Sequence, residues 1–202
     1  MEQKGVTVWF TGLSGSGKTA LALRLEEELR RRGLKVERLD GDIVRQSLTR
    51  DLGFSKEDRD KNIERVGFVA KLLTRNGVAV LCSFISPYRE VRDKVREEVG
   101  NFVEVYCFAT LETLIERDVK GLYEKAIAGQ IANFTGISDP YDPPDNPEVT
   151  INSSTESIEE SLAKVLSKLE ELGYAPPALE EKPYTADEEA EIEARLAALG
   201  YL

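Results

Sequence analysis

Eight residues near the amino terminus, Gly12-Leu13-Ser14-Gly15-Ser16-Gly17-Lys18-Thr19, match the phosphate-binding pattern G-x-x-x-x-G-K-(S/T). The glycines let the backbone wrap with its N–H groups turned toward phosphate oxygens, and the helix that follows adds its positive end. Lys18 then reaches the β and γ phosphates of a nucleotide such as ATP, and Thr19 offers its hydroxyl to Mg²⁺. A chance match in a chain of 202 residues has a probability of roughly 1%.

Phosphoryl transfer also needs a metal partner and an acid that orients the acceptor. The chain has no histidine, which excludes a histidine base, a Ser-His-Asp triad and a histidine-ligated metal. Asp40-Gly41-Asp42, at the carboxyl end of an expected strand, supplies two carboxylates where an open α/β sheet binds ligands. Phe54 and Phe134 are aromatics in loops, where a base could stack on them. Arg45, Arg59 and Lys120 read individually as surface cations. Ser86, before Pro87, ends an apolar strand on the ligand side and could donate to a substrate phosphate. Cys82 and Cys107 sit inside strand patterns and read as buried apolar residues.

The elements that must position these groups are legible from periodicity. Val6 to Phe10 is a β-branched and aromatic run bounded by the glycine loop, hence a buried strand. Lys18 to Arg32 follows as a helix with Leu21, Leu25 and Leu29 at every fourth position. Glu26, Glu27 and Glu28 stand four residues before Arg30, Arg31 and Arg32, and Gly33 closes the helix. A strand over 35–39, a helix opened by Ser55 and closed by Gly77, a strand over 78–85, a helix over 88–99, a strand over 102–108 and a helix from Thr110 continue the alternation. It predicts an α/β fold of the three-layer kind, a mainly parallel sheet with helices on both faces. Residues 117–147 break the pattern with three glycines and four prolines, and so read as an irregular lid. Val149 to Asn152 reads as a last strand, and Ser154 as the cap of a final helix reaching Leu172. Pro176-Pro177 marks a linker, and Thr185-Ala186-Asp187-Glu188 starts a small helix ending at Gly200. This divides the chain into residues 1–174 and a tail over 175–202.

The formal net charge is −10, which disfavours a nucleic acid polymer as partner. Residues 175–202 carry seven acidic and two basic side chains, a net of −5, so half of that charge belongs to the tail. The remainder is compatible with a local basic pocket for small anions. Two cysteines are too few for a disulfide framework and point to a reduced, cytoplasmic setting. No run approaches the roughly 20 apolar residues that span a bilayer, and no targeting segment is apparent at the start.

Taken together, these residues resemble the adenylylsulfate kinase (APS kinase) family over about residues 4–174. The resemblance rests on the phosphate loop, Leu39-Asp40-Gly41-Asp42 with Arg45, Leu52-Gly53-Phe54-Ser55, and Asp58-Arg59 with Asn62-Ile63. Further along it rests on Ser83-Phe84-Ile85-Ser86-Pro87-Tyr88-Arg89, Lys120-Gly121-Leu122-Tyr123, Asn133-Phe134-Thr135-Gly136-Ile137 and Asp145-Asn146-Pro147-Glu148. It implies transfer of the γ-phosphate of ATP to the 3′-hydroxyl of adenosine 5′-phosphosulfate, with Mg²⁺. Phe54 and Phe134 would sandwich the adenine of that acceptor, while Arg45, Arg59, Asn62 and Lys120 hold its phosphosulfate and ribose. Ile85 and Ser86 would line its pocket, Ser86 matching a position that is a phosphoserine in some members. Asp40 and Asp42 would serve the metal and the 3′-hydroxyl, Lys18 the transferring phosphoryl group, and Arg117, at the start of the lid, ATP. Val119, Ile127 and Ala20 depart from the usual pattern without removing any of these groups. The resemblance further implies a homodimer, and association with a sulfurylase stays an open alternative. Rival readings are a kinase for another small nucleotide or sugar, and an inactive nucleotide-binding regulatory domain.

Overall fold

The computed structural model describes residues 3–177 together with Arg195. The elements are β1 (Val6–Thr11), α1 (Lys18–Arg31), β2 (Val36–Asp40), α2 (Gly41–Val44), α3 (Lys56–Thr74), β3 (Ala79–Ser83), α4 (Arg89–Val99), β4 (Phe102–Phe108), α5 (Leu111–Arg117), α6 (Leu122–Ile127), β5 (Val149–Asn152) and α7 (Ile158–Glu171). The five strands form one parallel sheet in the order β2-β3-β1-β4-β5. Alternation along each strand divides the core. Val6, Val8, Phe10, Leu81, Val105 and Ile151 face α1 and α7, whereas Trp9, Val80, Cys82 and Phe102 face α3 and α4. The expected α/β architecture, with helices on both faces of a parallel sheet, is the fold observed. No helix among the described residues is long and apolar enough to cross a membrane.

Helix ends follow local chemistry. Gly33 takes φ +81°, and N–H groups of Gly33 and Leu34 return to the carbonyls of Arg30 and Leu29, closing α1 in the paired pattern that favours glycine. Within α1, Arg30 pairs with Glu26 and Arg32 with Glu28, while Glu27 pairs with Arg24 and Arg31 with Glu28. Ser55 and Thr110 cap α3 and α5. The cap of α7 is Ser157, not Ser154. The Ser157 hydroxyl accepts from the Glu160 N–H, and the Glu160 carboxylate returns to the Ser157 N–H. Ser154 instead accepts from the Thr110 N–H. Two further expectations change. The third strand ends at Ser83 rather than residue 85, and the segment 117–147 contains α6. The helix expected from Thr185 lies outside the described residues, Arg195 apart.

A buried charge network fastens the loops at the carboxyl end of the sheet. Arg92 of α4 is 1% exposed. It donates to Glu104 Oε1 at 2.9 Å, to the Ser86 carbonyl at 2.5 Å and to the Asp142 carbonyl at 2.7 Å. Arg96 donates to Glu104 and to both oxygens of Glu148, whose Oε2 also accepts from the Glu104 N–H. Each buried ion therefore has hydrogen-bond partners, the condition under which such ions are tolerated.

Glu104→Ala should lower unfolding free energy by about 3–5 kcal/mol, because it strands the Arg92 guanidinium, whereas Lys168→Ala at an exposed pair should change it by about 1 kcal/mol or less. Denaturant midpoints at fixed slope measure both. Acid should reveal the same network. Burial disfavours the Glu148 carboxylate, but hydrogen bonds from Arg96 and from the Glu104 N–H outweigh it and hold the group below its ordinary value of 4.5. Its contribution is present above that pH and lost as pH falls below it. Glu148→Gln should therefore flatten the acid limb of the stability profile.

Candidate active site

The phosphate loop leaves β1 at the centre of the sheet. At Gly12, φ is +145°, and a Cβ would stand 2.2 Å from the carbonyl oxygen of Cys107 on β4, so no side chain fits. Gly17, at φ +87°, turns the loop into α1. Lys18 folds back over the loop and donates to the carbonyls of Gly12 and Leu13 at 2.9 and 2.7 Å. Burial pushes its ammonium down to about 8. Ser16 is buried, while Ser14 and Gly15 lie nearer the surface.

Beside the loop, the Thr19 hydroxyl donates to Asp40 Oδ2 at 2.9 Å. The other oxygen of Asp40 accepts from the Asp42 N–H at 3.0 Å and so caps α2. Asp40 is in register with Ser83 of β3, as is Phe10 of β1, and the shared face is that of α1. The Ser83 hydroxyl is buried without a hydrogen-bond partner. A hydroxyl, a carboxylate and an orphaned second hydroxyl are hard oxygen donors of the kind Mg²⁺ takes together with its waters, so the residues fit that ion. The sequence offered one signal for Ser83, its position two residues beyond Leu81 on an alternating strand.

Asp42 is exposed, and its carboxylate accepts from Lys120 Nζ at 2.6 Å. Arg45 donates to the carbonyls of Leu52 and Gly53, and its guanidinium lies 4.4 Å from the ring centroid of Phe54. Burial, and next the charge of Arg59, lower the Arg45 guanidinium from its ordinary value. Phe54 is 59% exposed, a large ring held open to solvent. Asn62 is buried with Oδ1 unpartnered.

Arg59 is not a surface cation. It is buried on α3 and donates to the Phe54 carbonyl at 2.9 Å, the Thr135 hydroxyl at 2.8 Å and the Asn133 carbonyl at 2.5 Å. One guanidinium thus ties the loop of Phe54 to the loop of Phe134. Phe134 lies against Tyr123 in an edge-to-face contact, with centroids 5.1 Å apart.

Ser86 takes φ +41° and is 2% exposed. The sequence reading turns its hydroxyl toward substrate; the structure turns it inward. It accepts from Trp9 Nε1 at 3.1 Å and donates to Thr11 Oγ1 at 3.0 Å, while Thr11 donates to the Ile85 carbonyl at 2.9 Å. Ser86 and Ile85 thereby position the chain after β3. Arg117, closing α5, donates to the Ser153 carbonyl at 2.6 Å, on the side of Gly17. Sequence reasoning gave no role to Arg92 or to the Tyr123 side chain, and missed the capping role of Asp118. The Asp118 carboxylate accepts from the N–H groups of Leu122, Tyr123 and Glu124, which hydrogen bonds to its charged form lower in pKa.

The phosphate loop, the acidic pair and two phenylalanine loops stapled by an arginine supply the groups that a phosphoryl-transfer site needs. Comparison with known proteins agrees. A family model described as Adenylylsulphate kinase matches residues 4–152. The Adenylyl-sulfate kinase of Halothermothrix orenii is 63% identical over 172 residues, spanning 85% of this chain and 93% of its own. That of Rippkaea orientalis is 63% identical over 174 residues, spanning 86% and 96%. Among solved structures, the Mycobacterium tuberculosis APS kinase in complex with AMPPNP and APS is 45% identical, with a TM-score of 0.79 over 83% of this chain and 99% of its own. A sugar kinase from Janibacter, at 18% identity and a TM-score of 0.55, shares the fold alone. With the family model spanning the loop, the acidic pair and both phenylalanine loops, this chain belongs to the adenylylsulphate kinase family.

Proposed function

We propose that the chain transfers the γ-phosphoryl group of ATP to the 3′-hydroxyl of adenosine 5′-phosphosulfate, giving 3′-phosphoadenylylsulfate and ADP, a step of sulfate activation. The observation that carries the reading is the Arg59 staple, which ties the loops of Phe54 and Phe134 to one guanidinium in a chain that also has an intact phosphate loop. The M. tuberculosis relative is described with AMPPNP and APS together, one ligand for each side.

Each residue then has a task. Backbone N–H groups from Gly12 to Thr19 and the positive end of α1 receive the ATP phosphates. Lys18 exchanges the loop carbonyls for phosphoryl oxygens and places its charge where negative charge develops. Arg117 lies close enough to Gly17, through Ser153, to reach the same nucleotide. Thr19 and Asp40 would hold Mg²⁺, which when bound neutralises phosphate charge. Since both Asp40 oxygens are engaged toward Thr19 and α2, the exposed Asp42 is the better group to accept from and align the 3′-hydroxyl, with Lys120 beside it. Phe54 and Phe134 stack the acceptor base, and Arg45, Asn62 and Lys120 meet its anionic and ribose groups. Arg59 acts chiefly by holding the two rings in place. Catalysis on this reading is positioning and charge stabilisation. An inactive regulatory domain is disfavoured because Lys18, Thr19, Asp40 and Asp42 are all in place.

On this reading the kinase unit is residues 1–174, and the tail over 175–202 is given no part in the reaction. Buried, unpaired Cys82 and Cys107 support a reducing cytoplasmic setting. A homodimer is the assembly inferred from family resemblance, to be weighed against the hexameric APS kinase of Thiobacillus denitrificans, 37% identical and spanned by this chain over 30% of its length. Sulfurylase association has one support, a Sorangium cellulosum relative named Probable bifunctional SAT/APS kinase 2, 58% identical and spanned over 30%.

Steady-state assays of acceptor-dependent ADP release test these roles. Phe54→Ala and Phe134→Ala should each raise KM for the acceptor by roughly 5- to 150-fold, the range of one lost base stack, and leave KM for ATP nearly unchanged. Equal effects on both substrates would remove the stacking assignment. Lys18→Ala and Asp42→Ala should each cut kcat by about 100-fold or more; turnover near wild type in either would remove that residue from the mechanism.

A further inference from the structure

We propose that Tyr123 is a positioning residue that couples the phosphate loop to the ring of Phe134, so that donor nucleotide on one loop raises acceptor affinity at the other. The inference rests on the reading of Phe134 as the acceptor platform. Tyr123 is 2% exposed, and its hydroxyl donates to the Ser14 carbonyl of the phosphate loop at 2.8 Å. The same ring meets Phe134 edge-on at 79°. One side chain therefore touches both half-sites with different parts, the polar end on the donor loop and the apolar edge on the acceptor ring.

The surroundings give this link a firm base. The Asp118 carboxylate fixes the first turn of α6 through three N–H groups, so Tyr123 moves with the lid and not by itself. A second contact runs in parallel. Gly136, at φ +91°, lies so close to Leu13 that a Cβ there would stand 2.9 Å from Leu13 Cδ2. Leu13, Phe134 and Ile137 close over Ala109, Leu114 and Tyr123 in a small apolar cluster separate from the two main cores. Burial pushes the Tyr123 phenol up to about 12, so it stays protonated and a donor at working pH.

The coupling has a definite sense. Nucleotide phosphates recruit the N–H groups of the loop and so order Ser14. Through Tyr123 that order reaches Phe134, and the acceptor meets a ring already in place. A ligand that finds its partner loop ordered bears less of the ordering cost, which is positive cooperativity. Linkage requires the acceptor to tighten the donor by the same factor.

Calorimetric titration of adenosine 5′-phosphosulfate, with and without a saturating non-hydrolysable ATP analogue, and the converse titration, read this factor directly. For the wild-type chain it should be about fivefold or more in both directions. Tyr123→Phe keeps the ring on Phe134 and loses the bond to Ser14. Its factor should fall at least about twofold below that of the wild type, the Leu13 contact carrying the remainder, while each ligand alone binds within about threefold of wild type, shifts below the usual range of a coupling energy. Tyr123→Leu, which also takes the ring from Phe134, should lower the factor at least as far and weaken acceptor binding by itself; thermal melts establish that each variant is folded, and should the leucine variant not fold, the phenylalanine variant decides. A wild-type factor retained in Tyr123→Phe, or a factor near unity in the wild type, overturns the coupling. Failure of the wild-type chain to bind the acceptor at all would instead overturn the functional reading, and the coupling with it.

Discussion

A guanidinium removed from water must have its donors matched, and two arginines impose that demand on the loops of this protein. Arg92, under the sheet end, collects Glu104, the Ser86 carbonyl and the Asp142 carbonyl, and so fastens the chain after β3 to the segment that leads into β5. Arg59 collects the carbonyls of Phe54 and Asn133 with the Thr135 hydroxyl. Neither can be left unpaired without a cost comparable to the stability of a small domain. The irregular parts of the site are thus held by fixed polar partners in place of regular secondary structure.

The regular parts are held by the sheet. With β1 central and β2, β3 and β4 around it, every strand delivers its carboxyl end to the same rim. The phosphate loop lies against Cys107 of β4, and Asp40 and Ser83 stand together opposite Thr19. Fold and donor site are one object. Acceptor choice is another matter, because kinases at 18% identity share the fold. On the proposed reading, acceptor specificity belongs to the loops around Phe54 and Phe134 and to the lid that carries Lys120 and Tyr123.

Much of this was legible in the residues. Apolar strands between amphipathic helices announced the layers, and the glycine pattern with Lys18 and Thr19 announced the donor loop. What escaped has physical causes. Ser154 and Ser157 are both acceptable caps, and only the return bond from Glu160 distinguishes them. Helix α6 is six residues long, between Gly121 and Gly129, too short for periodicity to mark, and its cap is the carboxylate of Asp118, which accepts from an N–H four residues further on. Arg59 and Arg92 share their type with exposed cations such as Arg24, and their burial depends on loops that arrive about 75 and 50 residues later in the chain. The Ser86 hydroxyl is held by Trp9 and Thr11, partners some 75 residues away in the chain that no local motif displays.

The most direct measurement follows the phosphoryl group itself. The purified chain is incubated with Mg²⁺, γ-labelled ATP and adenosine 5′-phosphosulfate, and the labelled product is identified by position. The expected result is label on the 3′-oxygen of the acceptor, with one ADP released for each product formed. Hydrolysis of ATP without acceptor phosphorylation, or transfer to a sugar or another nucleotide but not to this acceptor, would contradict it.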